Sequence, residues 1–152
     1  MSLIVAILLL LVVSRVAAEL AERAGQPAMI GEILATKLTT HVGGNIGRSL
    51  LCDLGEIRPD HAVVLELSSF QLDELPEIGI SPHVALVTNL LPNHLDRHGT
   101  MEAYTAAKAR ILDFQAKDDA AILGRDDKGA WNLRNKVNGK LFTFSLQELE
   151  EG

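Results

Sequence analysis

Four short apolar runs, separated by helical patterns, constrain the fold of this chain more than any other feature. The runs are rich in Val, Ile, Leu and Phe and are bounded by turn residues: HAVVLELSS, HVALVTNLL, AAILGRD and KLFTFS. Helical patterns precede the first, third and fourth runs, at residues 45–54, 99–115 and 127–137, and Thr100 is the predicted N-cap of the second of these helices. Buried strands that alternate with helices are typical of parallel sheets. The sequence therefore predicts a three-layer α/β domain with a mostly parallel sheet.

The N-terminal segment has a different pattern. Residues 3–13 form an unbroken apolar run, and residues 14–25 place charges among apolar residues at helical spacing. We expect an apolar N-terminal helix, either packed on the sheet or in contact with a membrane through residues 3–24. The run itself is shorter than the roughly 20 residues of a membrane span. The predicted organisation is a helical segment, 1–35, followed by one domain, 36–152.

Charge and cysteine content exclude some classes of function. The formal net charge is -6 and the chain has no basic cluster, which argues against nucleic acid as a partner. Cys52 is the only cysteine, so neither a disulfide framework nor a cysteine-rich zinc site is expected. We expect Cys52 to be a buried thiol.

Polar side chains collect where the first two predicted strands end. Glu66, Ser68 and Ser69 follow the first, and Asn93 and His94 follow the second, with further polar residues beside them. Ligands of open parallel sheets bind beyond the carboxyl ends of the strands. These side chains are therefore the candidates for a functional site.

Lys108 lies in the middle of the apolar side of the helix predicted at 99–115, the side that also carries Met101 and Tyr104. One interpretation is that its stem covers apolar surface while its ammonium reaches water. The other is that the amine is buried, which lowers its pKa and favours the neutral form. Because this side of the helix faces the sheet, Glu66, His94 and Lys108 can converge.

The turn VGGNIG is rich in glycine and precedes a helical pattern. Gly43, Gly44 and Gly47 permit close backbone approach, and a helix N-terminus favours anions. The turn is not a Walker A loop, because Arg48 stands where that motif has lysine. The segment GEILATKLTT also fails to match, so the sequence contains no intact phosphate loop.

Four ordered motifs resemble the central domain of the Mur ligases, and within that family the members that add D-glutamate to UDP-N-acetylmuramoyl-L-alanine. They are VGGNIGRSLL, VVLELSSFQLDEL, SPHVALVTNLLPNHLDRHGTMEAYTAAKARIL and AILGRDDKGAW, and the resemblance covers residues 41–145. It implies an ATP-dependent amide ligase of peptidoglycan synthesis that uses Mg²⁺. Two magnesium ions would hold the reacting oxygens: Glu66 would bind one, His94 would bind the second, and Lys108 would be a carbamylated lysine that shares in the second site. Asn45 would contact the uridine nucleotide substrate, while Ser68, Ser69 and Asn93 would line the site.

The resemblance stops upstream of residue 41. The family's GTNGK[ST]T loop, which would hold the ATP phosphates, is not found there. Residues 3–35 instead resemble the first membrane segment of a monovalent cation:proton antiporter, mainly through AELAERAGQPAMIGEILA. We therefore expect a composite chain in which ATP binding is weak and ligation is not completed by the chain alone.

Three functions remain open at this point. The first is a Mur-ligase central domain that keeps the metal-binding half of the site. The second is a non-enzymatic protein that binds a membrane or a partner, and the third is a ligase with a degenerate phosphate site around Lys37. We expect a cytoplasmic chain, with membrane association as an alternative, and homo-oligomers if apolar surface is exposed.

Overall fold

The computed structural model describes residues 8–12, 38–45 and 49–146, and its centre is a six-stranded sheet. The strands are β1 (Leu8–Val12), β2 (Thr40–Gly44), β3 (Ala62–Glu66), β4 (Val84–Val87), β5 (Ala120–Gly124) and β6 (Lys140–Phe144). Their order across the sheet is β2-β3-β1-β4-β5-β6. Each of these pairings is parallel. The prediction of a mostly parallel sheet is confirmed.

Strand β1 corrects part of the N-terminal prediction. We expected a helix here, but Leu8–Val12 form a strand that pairs with β3 on one side and β4 on the other. A central parallel strand is apolar on both faces, so its sequence is an unbroken apolar run. Periodicity alone does not separate such a run from a buried helix. The rest of the predicted helical segment 1–35 lies outside the described residues, and its boundary at residue 35 stays a prediction.

Short helices connect the later strands. They are α1 (Ser69–Asp73), α2 (Leu75–Ile78), α3 (Leu95–His98), α4 (Met101–Ala109) and α5 (Lys128–Asn132), with 3₁₀ turns at Leu50–Asp53, Arg110–Leu112 and Leu133–Lys136. The predicted N-cap of α4 is confirmed, because the Thr100 hydroxyl accepts a hydrogen bond from the Ala103 amide. Among the described residues, none of the helices has the length and apolar character that crossing a membrane demands.

The main core lies between one face of the sheet and these helices. It contains Ala85, Val87, Ala121 and Leu123 from the strands, packed with buried side chains that include Leu72, Tyr104, Ile111, Leu112 and Leu133. A smaller cluster around Val64 and Leu86 occupies the opposite face, where the packed residues described are strand residues. A third layer on that face stays a prediction.

Two surface features concern predicted roles. Cys52 is exposed, so the expectation of a buried thiol was wrong; it lies in the 3₁₀ turn Leu50–Asp53, where Asp53 is the buried residue. Edge strand β6 is exposed along its whole length, with Phe142 54% exposed. Unpaired edges of this kind favour association, and self-association through apolar surface stays a prediction.

Candidate functional site

The carboxyl edge of the sheet brings the predicted polar residues together. Because the strands are parallel, the ends of β3 and β4 lie at the same edge, with Glu66 closing β3 and Thr88 following β4. Gly44 ends β2 against the backbone of Glu66, where an added Cβ would collide with the Glu66 carbonyl oxygen. The backbone N–H of Asn45 donates a hydrogen bond to that same oxygen, at 2.7 Å. The prediction of a turn was wrong for Gly43 and Gly44, which belong to strand β2; the close backbone approach at Gly44 is to the end of β3.

Lys108 is buried next to this edge. Lys108 is only 2% exposed to solvent, and Glu66 is 5% exposed. Burial lowers the pKa of Lys108 from its ordinary 10.5 to about 8, and the negative charge of Glu66 opposes this by raising it. A lysine whose head reaches water would be far more exposed. The structure therefore rejects that interpretation and favours a buried amine beside a carboxylate.

His94 occupies a constrained position at the start of α3. Its φ of 52° lies in the left-handed region, which non-glycine residues seldom adopt. The Asn93 side-chain oxygen accepts a hydrogen bond from the His94 amide at 2.9 Å, and the Phe70 ring packs edge-on against the imidazole with 5.0 Å between centroids. The hydrogen bond holds the backbone of His94 and the Phe70 contact restrains its imidazole. Strained backbone of this kind is commonest at functional sites.

A series of rings joins the His94 helix to Lys108. The Phe70 ring stacks on His98 at 5.3 Å between centroids, and His98 meets the Tyr104 ring edge-on at 5.5 Å. Tyr104 in turn has the Lys108 Nζ 5.6 Å from its ring centre. Successive ring contacts through Phe70, His98 and Tyr104 therefore connect helices α1, α3 and α4.

The two predicted serines have different surroundings. Ser68 caps α1 in a capping box with Gln71, so its hydroxyl has a structural task. Ser69 is 1% exposed, and its hydroxyl lies 2.9 Å from Nε2 of His98. Both serines lie just beyond the end of β3, as the sequence predicts, but their hydroxyls are engaged within the protein.

Several buried polar atoms at this edge point to a ligand. Thr88 Oγ1, Asn89 Oδ1 and Asn93 Nδ2 are inaccessible to solvent and have no hydrogen-bond partner within the described part of the chain. Buried polar groups without partners are costly and often belong to binding sites. The described ranges contain no cluster of three or more His, Cys, Asp and Glu side chains that could hold a metal ion.

Sequence reasoning missed the roles of Phe70, His98 and Asp73. Asp73 forms an ion pair with Arg110, in which Oδ1 of Asp73 lies 2.9 Å from Nε of Arg110. Oδ2 of Asp73 lies 4.0 Å from Nδ1 of His98. The spacing of Phe70 and Asp73 in α1 places them one turn apart, but nothing in the sequence identifies their partners on other helices.

An open parallel sheet with a buried lysine, a carboxylate and unpaired polar atoms at its carboxyl edge defines an α/β ligand-binding domain. The particular family follows from comparison with known proteins. Residues 13–151 match the Mur ligase middle domain, and the chain belongs to that family.

Curated relatives agree with this assignment. The UDP-N-acetylmuramoylalanine--D-glutamate ligase of Clostridium botulinum (strain Loch Maree / Type A3) is 45% identical over 109 residues, which is 72% of this chain and 23% of that protein. The ligase of the same name from Clostridium tetani is 44% identical over 126 residues, covering 82% of this chain and 27% of that protein. The chain thus spans about a quarter of the length of these relatives.

Solved structures share the fold. The MurF ligase of Thermotoga maritima in complex with ADP aligns over 93% of this chain and 33% of its own, with a TM-score of 0.69 and 18% identity. The resemblance of residues 3–35 to an antiporter gains no support from these comparisons, because the family match already begins at residue 13.

Proposed function

We propose that this chain carries the metal-binding part of an ATP-dependent amide ligase site, of the kind that adds D-glutamate to UDP-N-acetylmuramoyl-L-alanine in peptidoglycan synthesis. The observation that carries the proposal is the burial of Lys108 beside Glu66 at the carboxyl edge of the sheet. Relatives named for this ligase activity, at 44–45% identity, support the choice of substrate.

The first proposed role is chemical modification of Lys108. A neutral amine attacks carbon dioxide, forming an N–C bond and losing one proton to give a carbamate anion. With a pKa of about 8, about a quarter of the amine is neutral at pH 7.5, against about one part in a thousand at the ordinary value. Burial therefore increases the reactive fraction more than a hundredfold.

The proposed metal ligands are the Glu66 carboxylate, the His94 imidazole and the Lys108 carbamate. The carboxylate and carbamate oxygens suit Mg²⁺, and the His94 imidazole would add a nitrogen ligand. The contact of His94 with Phe70 and the burial of Glu66 are compatible with such a site. Bound Mg²⁺ would neutralise developing charge on phosphoryl and acyl-phosphate oxygens. The protein holds these ligands in place on α3, α4 and the end of β3.

Substrate contacts are assigned to the polar edge. We propose that Asn45 faces the uridine nucleotide and that Asn93 contacts the reacting end, with Ser68 and Ser69 shaping the wall between them. Thr88, Asn89 and Asn93 are half-buried residues that add polar groups at the same edge.

ATP binding is expected to be weak, and ligation by the chain alone is not expected. Upstream of β2 the sequence has no GTNGK[ST]T loop, and backbone amides of such a loop normally supply phosphate contacts. Calorimetric titration with Mg-ATP should show no binding in the micromolar range. Micromolar affinity would contradict this and favour a degenerate phosphate site.

We infer a cytoplasmic location because the chain belongs to the Mur ligase family.

Carbon-13 NMR with labelled bicarbonate and Mg²⁺ tests the proposal. A carbamate signal should be present in the parent chain and absent from Lys108→Met, which has similar length and no amine. Lys117→Met is the matched control, because Lys117 is exposed, and it should keep the signal. If no carbamate forms at any magnesium concentration, the proposed modification of Lys108 is excluded.

A further inference from the structure

A pair of histidines lies at the opposite end of the sheet from the candidate site. His41 is the second residue of β2, and His61 immediately precedes β3. His41 is paired with Val63, so His61 is its diagonal neighbour on the same face of the sheet. At about 3.3 Å per residue, His61 is about 16 Å along the strand from Glu66, which makes this a separate place on the molecule.

The two imidazoles face each other through one nitrogen each. Nε2 of His41 and Nδ1 of His61 are 2.9 Å apart, and the rings are 5.1 Å apart between centroids with 22° between their planes. The side chains are 10% and 15% exposed. The pair is thus largely desolvated but open to water on one side.

Each outer nitrogen lies near a carboxylate. Nδ1 of His41 lies 3.5 Å from Oδ2 of Asp53, and Nε2 of His61 lies 4.0 Å from Oδ1 of Asp60. A carboxylate next to an imidazole nitrogen favours the tautomer with its proton on that nitrogen. Asp53, which is 6% exposed, therefore favours a His41 whose Nε2 presents a lone pair towards His61.

We propose that His41 and His61 form a binding site for one divalent transition-metal cation of the Zn²⁺ type. His41 would bind through Nε2 and His61 through Nδ1, with Asp53 and Asp60 as outer hydrogen-bond partners and water as the remaining ligands. This is a two-ligand protein site, smaller than the clusters of three or more that the described ranges lack.

Metal binding requires a small separation and a turn of the two rings. Tetrahedral zinc with Zn–N bonds of 2.0–2.1 Å separates two ligand nitrogens by about 3.3 Å, so the imidazoles need to move apart by about 0.4 Å. Each ring must also turn, because the two nitrogens now face each other and the metal would lie to one side of the line between them. Binding to the neutral pair moves the His61 proton from Nδ1 to Nε2, where Asp60 lies. Binding to a singly protonated pair releases one proton to solvent.

Titration calorimetry of the full chain with Zn²⁺ tests the site, with Mg²⁺ as the comparison cation because it prefers oxygen ligands. His41→Gln and His61→Gln should each weaken zinc binding at least tenfold, and Asp53→Asn should weaken it about tenfold. His83→Gln is the matched control, since His83 also pairs with a carboxylate, Asp119, at 2.7 Å. It should leave the affinity unchanged.

A second measurement on the parent chain avoids any dependence on the folding of variants. In long-range proton–nitrogen NMR spectra, Zn²⁺ should shift the His41 Nε2 and His61 Nδ1 resonances, and Mg²⁺ should not. Unchanged resonances, or zinc binding that persists in His41→Gln, would overturn the proposal. Loss of zinc binding in His94→Gln with the His41 and His61 signals unmoved would also overturn it and assign the metal to the carboxyl edge.

Discussion

Nε2 of His98 lies 2.9 Å from Oγ of Ser69, and this contact joins α3, which follows β4, to α1, which follows β3. Because Ser69 is almost completely buried, its hydroxyl depends on His98 for a hydrogen bond. The same imidazole contacts the rings of Phe70 and Tyr104. His98 therefore positions both α3, which begins after His94, and α4, which carries Lys108.

Replacing His98 by alanine should destabilise the fold by about 2–4 kcal/mol, because it leaves the Ser69 hydroxyl unsatisfied and removes packed ring contacts. Urea denaturation measures the loss. A double-mutant cycle with Ser69→Ala should give a coupling energy of about 0.5–3 kcal/mol. The control is His83→Ala, whose side chain is 61% exposed and which should cost less than about 1 kcal/mol. Additive effects of His98→Ala and Ser69→Ala would show that the contact contributes nothing.

At alkaline pH, Lys108 and Tyr104 should change the free energy of unfolding in opposite directions. Burial lowers the pKa of Lys108 to about 8, so between about pH 8 and 10.5 the unfolded chain holds more protons and stability rises with pH. Burial raises the pKa of Tyr104 to about 12, so between about pH 10 and 12 the folded chain holds more protons and stability falls. Each slope is at most about 1.4 kcal/mol per pH unit.

Two variants separate these slopes in carbonate-free buffer, where Lys108 stays an amine. Lys108→Met should remove the rise, and Tyr104→Phe should remove the fall. Tyr104 is the only tyrosine, so the ultraviolet absorbance of tyrosinate reports its pKa directly. Tyrosinate that forms near pH 10 in the folded protein would contradict the burial of this side chain.

The parts of the fold set by local pattern were predictable from the sequence, and the parts set by contacts between distant segments were not. Strands β3 to β6, the Thr100 cap and the convergence of Glu66 with Lys108 followed from periodicity and from the rule for parallel sheets. The strand at Leu8–Val12 did not, because an apolar run has no period that separates strand from helix.

The aromatic series through Phe70, His98 and Tyr104 was not predictable either, since the pairing of side chains between helices depends on how the helices pack. The His41–His61 contact depends on strand register in the same way. A one-residue shift would turn one imidazole to the other face of the sheet.

Gly44→Ala tests the close approach of β2 to the end of β3. Gly44 has a φ of 122°, and an added Cβ would collide with the backbone of Glu66. We expect a loss of about 3 kcal/mol or more, from backbone strain and displacement of β2. Gly55→Ala is the matched control, because an added Cβ there meets nothing within 4 Å. Equal melting temperatures for the two variants would exclude the predicted collision.

Deletion of residues 1–24 tests the place of β1 in the sheet. The strand Leu8–Val12 lies between β3 and β4 and hydrogen-bonds to both, so its loss divides the sheet and exposes two unpaired edges. We expect the shortened chain to lose its cooperative thermal transition, measured by circular dichroism with and without detergent. Deletion of residues 1–5, which keeps β1, is the control and should melt like the parent chain. A shortened chain that melts like the parent in plain buffer would show that β1 does not contribute to the folded sheet. If the parent chain, which keeps residues 1–24, melted cooperatively only in detergent, a segment that contacts membranes would be favoured instead.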